Sequence, residues 1–90
     1  MAHETLGRMR HRILVLDERG RPVADAAVAL ARSSVPYPEI ALLTDENGVV
    51  ELQLPPGVFA FRASGPGDRS GDLEVTSPGP VESVVRLESH

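Results

Sequence analysis

Apolar and polar residues alternate along the middle of the chain, and a period of two is typical of half-buried strands. Between residues 43 and 61 this pattern predicts a strand end, a tight turn, a strand, a second turn and a further strand. The alternating apolar positions are Val50, Leu52, Leu54, Phe59 and Phe61. Because Phe59 and Phe61 are the only phenylalanines, we expect them to fill the core together with Leu52 and Leu54.

Glycines and prolines mark the turns that separate the strands. Residues 45–48 begin with an aspartate that can bond its own turn and end with Gly48, which tolerates a positive φ. Gly20 is assigned the same left-handed role in the turn over residues 17–22. Gly57 follows two successive prolines, and these end the central strand because proline cannot donate to a sheet ladder.

The other apolar segments predict further short strands. Residues 13–16 are apolar at every position, which predicts a strand covered on both faces. Residues 23–32 are rich in alanine, a helix former, but their alternation and their strand-like neighbours lead us to predict a strand. The fold prediction is an all-β, seven-stranded antiparallel two-sheet β-sandwich. Residues 1–10 are expected to form a flexible lead-in and residues 11–88 a single domain.

Size, charge and cysteine content exclude several classes of protein. The 90 residues allow one small domain, and without cysteine the chain has no disulfide, thiolate nucleophile or cysteine-based zinc site. No apolar run approaches the ~20 residues of a membrane span, and no signal-peptide core is present. We therefore expect a cytoplasmic protein without membrane contact. The net charge of −4 argues against nucleic acid as a partner.

Three segments together resemble a known family. They are Asp17-x-x-Gly20-x-Pro22-Val23-x-x-Ala26-x-Val28, Thr44-Asp45-x-Asn47-Gly48 and Leu54-Pro55-Pro56-Gly57-x-Phe59. The pattern resembles the carboxypeptidase regulatory-like domains and their Cna B-type relatives. The resemblance implies a transthyretin-like sandwich with Ig-like Greek-key connections and a role as an interaction or accessory module. Cna B-type domains often carry a lysine–asparagine isopeptide bond, which this chain cannot form because it contains no lysine.

Residues 11–22 also resemble the opening of the hydroxyisourate hydrolases, which are enzymes on the transthyretin fold. That resemblance implies His11 as a general base with Arg62 near it. The C-terminal Tyr-Arg-Gly-Ser of those enzymes is missing here, and acid–base catalysis needs its partner groups within reach. We therefore expect a non-enzymatic protein. A hydrolase of this kind and a spacer domain of a larger surface protein remain the alternatives.

No metal or cofactor is expected. Asp45-x-Asn47-Gly48 resembles the start of a calcium loop, but the twelfth position counted from Asp45 is Pro56, where such a loop needs a glutamate. A turn bonded by its own aspartate explains these residues better. The histidines at positions 3, 11 and 90 lack the close spacing of a zinc site.

The first candidate contact is the proline-flanked loop over residues 33–39. A tyrosine held out on a rigid loop offers contact area at little entropic cost, so Tyr37 and Val35 are candidate partner-binding residues. Packing of Tyr37 back over the end of the sandwich is the alternative. The loop expected over residues 64–71 lies at the surface as well.

The second candidate contact is a row of arginines. Arg8, Arg10 and Arg12 would line one face of the first strand. They either bind an anion or an acidic partner, or form a solvated edge whose charge discourages strand pairing. The overall expectation is a module that binds another protein and is itself a monomer or small homo-oligomer.

Overall fold

The computed structural model describes residues 8–89, which form two packed β-sheets and no helix. The strands are β1 (Met9–Leu16), β2 (Ala27–Ser33), β3 (Ala41–Leu43), β4 (Val49–Leu54), β5 (Gly57–Ser64), β6 (Arg69–Ser77), β7 (Glu82–Arg86) and β8 (Glu88–Ser89). The predicted all-β, two-sheet sandwich is confirmed. The two-residue β8 adds to the seven predicted strands. The alanine-rich segment forms a strand as predicted, but β2 begins at Ala27 and the predicted residues 23–26 lie outside it.

Strand β1 lies in the middle of a three-stranded sheet with the order β4-β1-β7, and the other sheet has the order β3-β2-β5-β6-β8. The interpretation of β1 as an edge strand is therefore wrong. Strand β1 pairs antiparallel with β4 but parallel with β7. This parallel pair departs from the predicted antiparallel arrangement. The chain crosses from the five-stranded to the three-stranded sheet after β6, and β7 then runs in the same direction as β1.

Further differences in boundary concern β1 and the loop before β6. Strand β1 begins at Met9, so residues 9 and 10 belong to the sheet, and the rest of the expected lead-in, residues 1–7, lies outside the described residues. The expected loop over residues 64–71 is only four residues long, because β5 reaches Ser64 and β6 starts at Arg69. A positive φ at Gly67 (72°) and at Asp68 (58°) reverses the chain within this short connection.

A single apolar core lies between the sheets. Phe59 is fully buried and Phe61 is 2% exposed, as predicted for the two phenylalanines. The other buried apolar residues are Ile13, Val15, Ala26, Val28, Val50, Leu52, Leu54, Ala63, Val75, Val85 and Leu87. They come from both sheets, so the core joins the sheets into one unit.

Two turns at the same end of the sandwich share the sequence Asp-Glu-x-Gly and the same bonding. The Oδ1 atom of Asp17 accepts the N–H groups two and four residues later at 2.8 and 2.9 Å. Asp45 repeats this at 2.8 and 3.0 Å. Gly20 and Gly48 close the turns with φ of 81° and 79°, the left-handed conformation predicted for them. The turn bonds account for Asp45, as the self-bonded interpretation predicts.

The last strands connect the two sheets. The N–H of Leu87 donates to the carbonyl of Leu16 in the three-stranded sheet, and β8 then pairs with β6 in the other sheet. A Cβ on Gly71 of β6 would lie 2.6 Å from the carbonyl oxygen of Arg86. This glycine therefore lets β6 approach β7 and close the sandwich along that side.

Candidate functional site

The side chains of β1, β4 and β7 that point away from the core form the outer surface of the three-stranded sheet, called the β1 face below. The strand registers align these side chains in rows across the sheet. The central row is Val49, Leu14 and Val84; on one side of it lies the row Glu51, Arg12 and Glu82, and on the other lie Leu16 and Arg86. The β1 face therefore carries an apolar row with charged residues on both sides.

The apolar row is open to solvent. Ile13 and Val15 of the same strand are fully buried against the other sheet, whereas Leu14 is only half-buried and Val84 is 59% exposed. The prediction that both faces of this strand are covered is thus wrong within residues 8–89, because these residues form two layers and the β1 face is an outer surface. A shallow hollow runs along it, lined by Arg12, Leu14, Val49, Glu82, Ser83 and Val84.

The charged row is held together by Arg12. Its Nε lies 3.5 Å from Oε2 of Glu51, and its Nη1 lies 3.6 Å from Oε2 of Glu82. All three side chains are about half exposed or more, so these pairs contribute little to stability. The two pairs nevertheless give the Arg12 guanidinium carboxylate partners within the chain. Arg86, on the far side of the apolar row, has no ion-pair partner within residues 8–89.

The other two arginines predicted as contacts lie at the end of β1. Arg10 is exposed and pairs in register with Gln53, one row beyond Arg12 on the β1 face. Arg8 is exposed just before the strand begins. The structure thus brings Arg10 and Arg12 together on one face, with Arg8 following the same alternation.

Tyr37 is not held out from the protein. Its ring packs edge-on against Phe59, with centroids 5.4 Å apart and an interplanar angle of 74°. Its hydroxyl donates to the carbonyl of Gln53 at 2.7 Å. Val35 is also half-buried against the core, close to the position that a side chain on Gly57 would occupy. The loop therefore covers the end of the sandwich, which is the alternative interpretation of Tyr37.

The two residues implied by the hydrolase resemblance lie apart. His11 is 1% exposed on the inner side of β1; its Nδ1 donates to the carbonyl of Pro80 at 3.2 Å, and its buried Nε2 has no partner. Arg62 lies on the exposed outer surface of the five-stranded sheet, where its Nε bonds Oδ1 of Asp72 at 2.9 Å. This hydrogen bond raises the pKa of Arg62. The structure does not assemble His11 and Arg62 into one site.

A metal cluster and a membrane-spanning helix are both absent from the described part of the chain. Residues 8–89 contain no group of three or more histidine, aspartate or glutamate side chains placed to hold a metal ion. Nor do they contain a helix long and apolar enough to cross a membrane.

The apolar row was missed by sequence reasoning because it depends on the register of three strands, one of them parallel and distant in sequence. Two signals were present: the apolar outer positions Leu14 and Leu16, and the pattern Glu82-x-Val84-x-Arg86.

Comparison with protein-family models finds no match to this chain, and comparison with curated proteins finds none either.

Proposed function

We propose that this domain is a non-enzymatic protein-interaction module that binds through the β1 face. The observation that carries the proposal is the apolar row Val49–Leu14–Val84, which crosses the side of the sheet that the described residues 8–89 leave uncovered. Removing apolar surface from water gives about 25 cal/mol per Å². A partner that covers this row therefore gains free energy that the isolated domain leaves unused.

The arrangement of the β1 face matches the general anatomy of protein interfaces. Such interfaces have an apolar centre and a polar rim, and here charged residues lie on both sides of the apolar row. The side chains project from a sheet whose central strand is paired on both sides. Because these strands are already ordered, binding incurs little of the entropic cost of fixing a mobile loop.

The sequence resemblance to carboxypeptidase regulatory-like domains supports the same proposal, since it implies interaction or accessory modules. A fold does not determine a function by itself, so the weight rests on the surface. The hydrolase alternative is weakened by the separation of His11 from Arg62. We propose no cofactor for the module.

A photo-crosslinking amino acid at position 84 tests the proposal. The matched control places it at position 58, because Val58 is also an exposed valine (39%, against 59% for Val84) but lies in β5 of the other sheet. Irradiation in cells of the source should give a discrete crosslinked protein from position 84 and not from position 58. No product at position 84, or equal products at both positions, would contradict the proposal.

A further inference from the structure

We infer that the partner covering the β1 face is a second copy of this chain, packed face to face about a two-fold axis that runs along the apolar row. The inference rests on the proposed function, because it names the occupant of the same surface. It is carried by the distribution of charge around Val84.

Opposite charges lie at equal distances on the two sides of the apolar row. Strand β7 presents Glu82 two residues before Val84 and Arg86 two residues after it, and all three residues are exposed. A two-fold axis along the row places each strand over the same strand of the second copy, and the two strands then run in opposite directions. Val84 then meets the partner's Val84, and Glu82 meets the partner's Arg86. The symmetry produces this pair of opposite charges twice.

Both charged groups are available for such contacts. Arg86 has no ion-pair partner among residues 8–89. Glu82 has one contact, at 3.6 Å from Arg12, and its side chain remains 69% exposed. A carboxylate has acceptor sites for more than one donor, so Glu82 can keep Arg12 and also accept the partner's Arg86.

A two-fold axis that runs parallel to the strands is unfavourable. An axis parallel to the strands would place Arg12 over the partner's Arg12 and Glu51 over the partner's Glu82. Like charges that face each other directly are destabilising. The charge pattern of the β1 face therefore favours an axis along the apolar row over one parallel to the strands.

Edge-to-edge pairing through β7 is hindered by the fold itself. Strand β6 approaches β7 so closely that a Cβ on Gly71 would lie 2.6 Å from the carbonyl oxygen of Arg86. A strand from a second copy has no room beside that end of β7. The β1 face has no such obstruction, because no layer of the described chain lies over it.

The size of the surface sets the expected affinity. Three strands span about 10 Å between the outer two, and the three rows span about 13 Å along the strands. The area that these two lengths enclose is much smaller than the roughly 800 Å² per partner of a stable interface. The dimer should therefore be weak and should dissociate on dilution.

Sedimentation equilibrium of the full chain between about 10 µM and 1 mM tests the inference. The apparent mass should rise from the 9.6 kDa of the monomer towards twice that value. Glu82→Arg and Arg86→Glu should each weaken association about tenfold. The double variant should restore it, because the charges are exchanged and remain complementary. Glu74→Arg, an exposed position on the other sheet, is the control and should leave association unchanged.

The results separate the inference from the proposed function. A monomer mass at every concentration, or a double variant that associates no better than the single variants, would overturn the inference. Crosslinking of position 84 to a different protein would overturn it as well, while the proposed function would stand. If neither the dimer nor the crosslink is found, both the inference and the proposed function are contradicted. Thermal melting of each variant shows that the altered positions leave the fold intact.

Discussion

Replacing Tyr37 with alanine should lower the free energy of unfolding by about 2–4 kcal/mol. The hydroxyl bond to the carbonyl of Gln53, 2.7 Å long and exposed, contributes about 0.5–1 kcal/mol. The edge-on contact with Phe59 adds about 0.5–1.5 kcal/mol beyond its buried area. Half-burial of the ring contributes about 1–1.5 kcal/mol, taken as half of the value for a fully buried large side chain.

Two further variants separate these contributions. Tyr37→Phe removes only the hydroxyl and should cost about 0.5–1 kcal/mol. A double-mutant cycle that combines Tyr37→Leu with Phe59→Leu should give an interaction energy of about 0.5–1.5 kcal/mol.

Urea unfolding followed by far-ultraviolet circular dichroism is the assay, because Tyr37 is the only tyrosine and the chain has no tryptophan. Tyrosine fluorescence would disappear with the substitution itself. An alanine variant within about 0.5 kcal/mol of the parent would refute the assignment of this ring to the core. Tyr37 would then return to the candidate contact residues.

Four other outcomes follow from the structure. Phe59→Ala should cost about 3–5 kcal/mol, and a melting temperature within a few degrees of the parent would contradict its place in the core. His11→Leu should change stability by less than about 1 kcal/mol in urea unfolding, because it removes a buried nitrogen without a partner along with one hydrogen bond. Gly48→Ala should cost clearly more than Gly67→Ala in thermal melts: both have positive φ, but only the first Cβ would meet other atoms within 4 Å. The backbone N–H of Arg21 is the main cause of the lowered pKa of Asp17. The charged carboxylate therefore stabilises the fold at pH values above its ordinary pKa, and this stabilisation is lost as the pH falls through the pKa of the folded state. In urea unfolding at a series of pH values, Asp17→Asn should therefore reduce the loss of stability on the acid side.

The sheet pattern was largely predictable because it depends on local chemistry. The period-two alternation fixes which side chains of β4 and β5 enter the core, and Phe59 and Phe61 follow from it directly. The turns at Gly20 and Gly48 follow from aspartates that bond their own backbone. These interactions join residues a few positions apart, so the linear sequence contains them.

The candidate site was not predictable in the same way. The neighbours of β1 are β4 and β7, which lie about 40 and 70 residues further along the chain, and no local pattern reveals that β7 runs parallel to it. The apolar run over residues 13–16 was read correctly as apolar on both sides. On the second side, however, no layer formed by residues 8–89 covers the strand. Tyr37 illustrates the same limit, because its contact with Phe59 forms only when the sheets have packed.

The pairing of β1 with β7 has a consequence for how the protein is made. Strand β1 is synthesised about 70 residues before β7, so one of its two neighbours is missing until residue 86 has been added. The pairing of β8 with β6, which joins the sheets, comes later still. Contacts between residues so far apart in sequence also slow folding. During synthesis, one hydrogen-bonding edge of β1 therefore stays unpaired until β7 is made, so nascent chains should depend on chaperones more than the small size of the domain would indicate.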